Sequence, residues 1–120
     1  MQLTLGEMIA RLERCEQDAP VCFDFGGLVP TTFDSYRGYY DQIALGFADP
    51  NARASKKAGD LLSEARAMVG SVLTGWKGGD YRMHEGTPVW ADRPGFASGT
   101  AISDVRQTSY YVVLLTEYID

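Results

Sequence analysis

Two segments of this chain place apolar residues at helical spacing, and they limit the possible folds more than any other feature. The apolar face of the first contains Leu5, Met8, Ile9, Leu12 and Cys15, and that of the second contains Ala58, Leu61, Leu62, Ala65, Met68 and Val69. Such spacing is typical of amphipathic helices. Thr4 followed by Glu7 predicts a capping box at the first helix, and Gly70 marks the end of the second. Each apolar face needs a second layer to cover it, which predicts helices packed on a sheet.

The remaining sequence consists mainly of short strand-like runs separated by glycine and proline. We expect strands at 21–25, 42–47, 72–76, 81–83, 88–91, 101–105 and 110–115. Beyond residue 71 no helical segment is available to connect parallel strands, so antiparallel pairing is expected. The predicted fold class is α+β, with two amphipathic helices packed on an antiparallel β-sheet. The 120 residues suffice for a single ligand-binding domain, 1–120.

Charge and composition disfavour several classes of partner. The net charge is −5, whereas a duplex nucleic-acid groove needs clustered lysine and arginine. No run of 18 apolar residues occurs and no signal-peptide pattern is recognisable, so we expect a cytoplasmic protein that does not enter a membrane. Cys15 and Cys22 have apolar neighbours and are expected to be free thiols.

Catalytic constellations are poorly supported. His84 is the only histidine, no Gly-x-Ser-x-Gly motif is present, and neither cysteine has metal-ligand spacing. The sequence therefore predicts no enzyme, no metal site and no cofactor. His84 itself is interpreted either as a surface turn residue or as a ligand contact.

Residues 33–40 combine one guanidinium with three tyrosine rings beside a glycine. Rings stack on nucleotide bases, and arginine forms paired hydrogen bonds with phosphate oxygens. Tyr36, Arg37, Gly38 and Tyr39 are therefore candidate contacts for an aromatic, phosphate-bearing small molecule. The alternative is structural, with Arg37 stacked on a tyrosine and paired with Asp34 to hold a loop.

Residues 75–82 repeat these ingredients, with an indole, an ammonium and three glycines. Trp76, Lys77, Gly78 and Asp80 are candidate contacts, because glycines beside a lysine expose backbone N–H groups to a phosphate. The alternative is a glycine-turn hairpin whose tryptophan packs on the sheet. The full candidate ligand-binding set is Tyr36, Arg37, Gly38, Tyr39, Trp76, Lys77, Gly78, Asp80 and His84.

The chain resembles small proteins encoded by phages and prophages. The resemblance covers most of the chain and is carried by Phe23-Asp24-Phe25-Gly26-Gly27, Asp34-Ser35-Tyr36-Arg37-Gly38-Tyr39-Tyr40, Leu45-Gly46-Phe47, Thr74-Gly75-Trp76-Lys77-Gly78-Gly79-Asp80-Tyr81 and Thr100-Ala101-Ile102. Among these proteins it is similar to the first type of anti-Thoeris protein, sponges that sequester cyclic ADP-ribose signals without cleaving them. The resemblance implies a nucleotide-type ligand and a homo-oligomer with pockets between protomers, acting in the host cytoplasm during infection.

The sequence leaves two rival functions open. The first is a protein-binding inhibitor of a bacterial defence complex, similar to an anti-CRISPR protein, with an acidic surface and exposed tyrosines as anchors. The second is a small phosphodiesterase, which would need His84 beside a carboxylate.

Overall fold

A computed structural model describes residues 1–52, 55–75, 78–93 and 96–119. These residues form two helices and eight strands in one α+β domain. In chain order the elements are α1 (Leu5–Glu13), β1 (Val21–Phe23), β2 (Val29–Tyr36), β3 (Tyr39–Ala48), α2 (Ala58–Met68), β4 (Val72–Thr74), β5 (Asp80–Arg82), β6 (Val89–Ala91), β7 (Thr100–Gln107) and β8 (Val112–Tyr118). Neither helix is long and apolar enough to cross a membrane, within the described residues.

Both predicted helices are confirmed, and local signals explain their ends. The Glu7 N–H donates to the Thr4 hydroxyl at 3.2 Å, and the Glu7 carboxylate accepts from the Thr4 N–H at 2.9 Å. This reciprocal pair is the predicted capping box. Helix α2 ends before Gly70, whose φ of +80° requires glycine. Helix α1 packs on β7 and α2, while α2 also contacts β2, so only part of each apolar face covers the sheet.

The six-stranded sheet is mixed, which corrects the predicted antiparallel sheet. Its strand order is β1-β8-β7-β6-β3-β2. Three of its pairings are antiparallel, but β1 pairs with β8 and β3 pairs with β6 in parallel. The antiparallel prediction holds for three of the five pairings; it missed the β3–β6 pair because the connection between these strands contains α2, which makes a parallel crossover possible. The short strands β4 and β5 form a separate antiparallel hairpin.

The sheet is curled, because its two edge strands are joined by a short link. A flat sheet of six strands at about 4.8 Å spacing would hold β1 and β2 roughly 24 Å apart. Residues 24–28 connect them and can span at most about 20 Å when fully extended. The Phe23 N–H in fact donates to the Leu28 carbonyl at 2.8 Å. The curl brings both edges together around a core that includes Phe23, Ile43, Leu45, Met83, Val89, Ile102 and Leu114.

The first aromatic stretch is a hairpin, whereas the sequence predicted a loop before a strand starting at residue 42. After a first register shift between Pro30 and Phe33, strands β2 and β3 pair in one register from Phe33–Leu45 to Ser35–Ile43, and the next pair is Tyr36–Tyr39. Three residues of β3, 40–42, therefore lie between two consecutive residues of β2. A bulge of this kind redirects the side chains around it. Gly38, with a φ of +82°, makes the tight turn.

Candidate ligand-binding cleft

Three aromatic rings form a stacked ladder beside this hairpin. The Tyr36 and Trp90 rings are nearly parallel, at 8°, with centroids 4.5 Å apart. The Tyr36 and Tyr39 rings are also stacked, with centroids 5.8 Å apart. Tyr39 is 57% exposed, whereas Tyr36 is only 2% exposed. The aromatic ladder (Trp90, Tyr36 and Tyr39) thus runs from the sheet to an accessible ring.

The strand register explains why Trp90 can occupy this place. Its backbone neighbours in the sheet are Ala44 on β3 and Ala101 on β7, whose small side chains leave room for an indole. The Trp90 Nε1–H donates to the Gln42 Oε1 at 2.5 Å, within the bulged part of β3. This bond leaves the Gln42 NH₂ group as a donor at the same face.

Tyr36 links the ladder to the loop that precedes β7. Its hydroxyl accepts a hydrogen bond from the Gly99 N–H at 2.8 Å. Burial raises the pKa of the Tyr36 phenol, and the Gly99 bond offsets part of that increase. The phenol therefore stays protonated at neutral pH and keeps an O–H to donate.

The described part of the loop at 92–99 is held by the buried carboxylate of Asp92. It accepts hydrogen bonds from the Arg93 N–H at 2.9 Å and from the Ser98 N–H at 2.5 Å. Gly99 then takes a φ of +80°, and its carbonyl accepts from the Ile119 N–H at 2.7 Å. These bonds fix the loop against the end of β8, opposite the ladder.

The ladder and this loop enclose a cleft of about 380 Å³. Its walls are Tyr36, Tyr39, Gln42, Trp90, Ala97, Ser98, Gly99, Tyr118 and Ile119. Tyr118 is 68% exposed and adds a second accessible ring. The volume and the mixture of rings with a few polar groups are typical of small-molecule sites.

Two residues of the first predicted stretch line the cleft, and two form its nearest turn. Tyr36 and Tyr39 are both in its wall, Tyr36 as a buried ring and Tyr39 as an exposed one. Arg37 and Gly38 form the exposed tip of the hairpin between these two tyrosines. Tyr40 belongs to another cluster, since its ring lies 5.8 Å from the Tyr81 ring.

The second predicted stretch is only partly placed. Trp76 and Lys77 lie outside the described residues. Gly78 has a φ of +91° at the β4–β5 turn, and the Asp80 carboxylate accepts a hydrogen bond from the Thr74 hydroxyl at 3.2 Å. A Cβ on Gly75 would come within 2.8 Å of the Tyr40 ring. The two stretches therefore meet through Tyr40, and neither Gly78 nor Asp80 lines the cleft.

His84 occupies an exposed turn away from the cleft. The His84 Nδ1 accepts a hydrogen bond from the Gly86 N–H at 3.0 Å, and the His84 backbone N–H donates to the Thr87 hydroxyl at 2.9 Å. These bonds account for His84 as a turn residue. Among the described residues, no group of three histidine, cysteine, aspartate or glutamate side chains could hold a metal ion.

Several lining residues were not predicted from the sequence. Trp90 was not among the candidate contacts, although its neighbours Val89 and Ala91 are both buried and side chains alternate between the two faces of a strand. That alternation places Trp90 on the other face and could have identified it. Gln42, Ser98 and Tyr118 carry no comparable local signal, because the curl of the sheet brings them to the ladder.

No protein-family model, curated protein or solved structure matches this chain.

Proposed function

We propose that this protein binds a nucleotide-type signal of the cyclic ADP-ribose class in the cleft and sequesters it without cleavage. It would act as a phage-encoded anti-defence sponge, a Thoeris inhibitor, in the cytoplasm of the infected host. The observation that carries the proposal is the aromatic ladder, which ends in the exposed Tyr39 ring at the mouth of a cleft with hydrogen-bonding walls.

The ladder supports recognition of a planar ring. A base stacked on an aromatic side chain contributes roughly 1–3 kcal/mol, whichever base it is. Tyr36 is already covered, so Tyr39 and Tyr118 provide the accessible ring surface. Trp90 and Tyr36 hold Tyr39 in place from behind, which lowers the entropy lost when a ligand stacks on it.

The polar groups of the cleft suit the edge of a base or a ribose. The Gln42 NH₂ group and the Tyr36 O–H are donors, and Ser98 contributes a hydroxyl. Arg37 at the hairpin tip is the proposed phosphate contact, since a guanidinium donates two parallel bonds to phosphate oxygens. Lys77 remains the proposed second cation, as in the sequence prediction.

The lining of the cleft favours capture over chemistry. Its described walls contain no histidine, cysteine, lysine or carboxylate, and tyrosine is their only titratable side chain. Cleaving a phosphodiester or glycosidic bond needs an activated nucleophile, a general acid or a metal ion. Sequestration needs only affinity and abundance, because binding alone lowers the free signal by mass action.

A thermal-shift panel tests this proposal against the protein-inhibitor alternative. We expect cyclic ADP-ribose isomers to raise the melting temperature in a concentration-dependent manner, because a ligand of the native state stabilises it. A protein-binding inhibitor would instead show no shift with any nucleotide and a salt-sensitive affinity for a macromolecule. That second pattern would refute the proposal that the protein sequesters a nucleotide.

The proposal includes a homo-oligomer, most simply a symmetric dimer. Exposed aromatic side chains support it, since Tyr110, Tyr111 and Tyr118 are 79%, 50% and 68% exposed. We expect light scattering at micromolar concentration to give at least twice the mass of one 13.2 kDa chain. A monomer at that concentration would contradict the oligomer while leaving the cleft in place.

A further inference from the structure

A second pocket lies where the end of α1 meets β7. It has a volume of about 340 Å³ and is lined by Arg11, Arg14, Cys15, Asp104, Val105 and Gln107. We propose that this pocket is a separate anion site, which binds the phosphate group of a free phosphate or of a phosphate ester.

Among the residues that line this pocket, two carry a guanidinium group, Arg11 and Arg14, and one carries a carboxylate, Asp104. Asp104 is shared by Arg11 at 3.3 Å and by Arg106 at 4.0 Å, so neither contact is a close paired bridge. Arg14 is exposed and, among the ion pairs of the described residues, takes part in none. The neighbouring Glu13 is engaged elsewhere, with Arg66 at 2.6 Å. A phosphate would offer these arginines the close, paired acceptor oxygens that Asp104 does not provide.

The shape of the pocket suits a phosphate with room for an attached group. The lining side chain of Gln107 is held in place, because its Oε1 accepts from the Glu16 N–H at 2.8 Å and its NH₂ group donates to the Thr108 carbonyl at 2.8 Å. Val105 and the half-buried Cys15 add apolar surface beside the charges. The local excess of positive charge also stands out in a chain whose net charge is −5.

The anion site is independent of the aromatic cleft. Gly99, in the cleft, directly precedes β7, whereas Asp104–Gln107 lie at its far end. At about 3.3 Å per strand residue, the two sites are roughly 20 Å apart, farther than one small nucleotide reaches. Failure of the proposed function would therefore leave this inference standing, and the reverse is also true.

Cys15 provides a direct readout, because its thiol lines the pocket. We expect inorganic phosphate to slow alkylation of Cys15 by iodoacetamide about fivefold near saturation. Cys22 is the internal control, since burial raises the pKa of both thiols but only Cys15 lines this pocket. Peptide mass spectrometry separates the two rates, and sodium chloride at matched ionic strength corrects for screening. Glycerol phosphate in place of inorganic phosphate tests whether an ester is accepted as well.

The double variant Arg14→Gln, Arg106→Gln should lose this protection, because both exposed guanidinium groups are removed without touching the core. The matched control Lys57→Gln, Arg82→Gln removes two exposed cations outside the pocket and should keep the protection. Equal protection in the double variant, or no protection of the wild type by either phosphate, would overturn the anion site. Backbone amide NMR shifts at Cys15 and Gln107, with Gly99 unmoved, provide a measurement independent of alkylation.

Discussion

Replacing Tyr39 by alanine should weaken binding of the nucleotide ligand by about fivefold to 150-fold, while the fold stays intact. The expected loss is that of one base-stacking contact, roughly 1–3 kcal/mol. Tyr39 is 57% exposed, so little core packing is lost with its ring. Isothermal titration calorimetry measures the affinity, and thermal denaturation measures the stability.

Two matched variants make this prediction specific. Tyr39→Phe keeps the ring and should bind within about threefold of the wild type, because stacking needs the π face alone. Tyr110→Ala removes a tyrosine that is 79% exposed in the β7–β8 turn, which is not part of the cleft, and should bind normally. Wild-type affinity in Tyr39→Ala would remove the aromatic ladder from the site.

Gly99→Ala should destabilise the protein by about 2–3 kcal/mol and also weaken ligand binding. An alanine at a φ of +80° costs about 1–2 kcal/mol in backbone strain. In addition, its Cβ would lie 2.8 Å from the Ile119 carbonyl oxygen, so the backbone at the cleft wall must move. That movement pulls the Gly99 N–H away from the Tyr36 hydroxyl.

Gly70→Ala is the control for the backbone strain of an alanine at positive φ. Gly70 has the same φ of +80°, but a Cβ there would meet nothing within 4 Å. Gly70 follows α2 and lies outside the cleft. The free energy of unfolding of Gly70→Ala should therefore fall by about 1–2 kcal/mol, and the variant should bind ligand normally. Chemical denaturation of both variants gives the difference. If Gly99→Ala is no less stable than Gly70→Ala, the contact with Ile119 does not shape the cleft wall.

The helices could be predicted because their signals are local. Thr4 and Glu7 are three residues apart, and their capping box needs no tertiary context. The parallel pairing of β3 with β6 depends instead on a crossover of forty residues, 49–88. Local strand propensity therefore cannot predict it. The curl follows from the link at 24–28, but only once the strand order is known.

The candidate site was predicted only in part, because only some of its residues have a local signal in the sequence. Tyr36 and Tyr39 were identified because ring and guanidinium occur together within one short stretch. Their separate roles, one buried and one exposed, come from a bulge of three residues that has no sequence signature. The cleft wall at Ser98 and Gly99 depends on Asp92, whose buried carboxylate accepts hydrogen bonds from backbone N–H groups of the same loop.

The central claim is that the protein captures its ligand and leaves it intact. The most direct test is to incubate the protein with a cyclic ADP-ribose isomer, remove unbound ligand, denature the protein by heat and weigh the released molecule by mass spectrometry. We expect the input mass, recovered in proportion to the protein and unchanged after long incubation, because the described cleft walls contain no nucleophile-activating group. Linear or hydrolysed product in molar excess over the protein would contradict capture and show an enzyme.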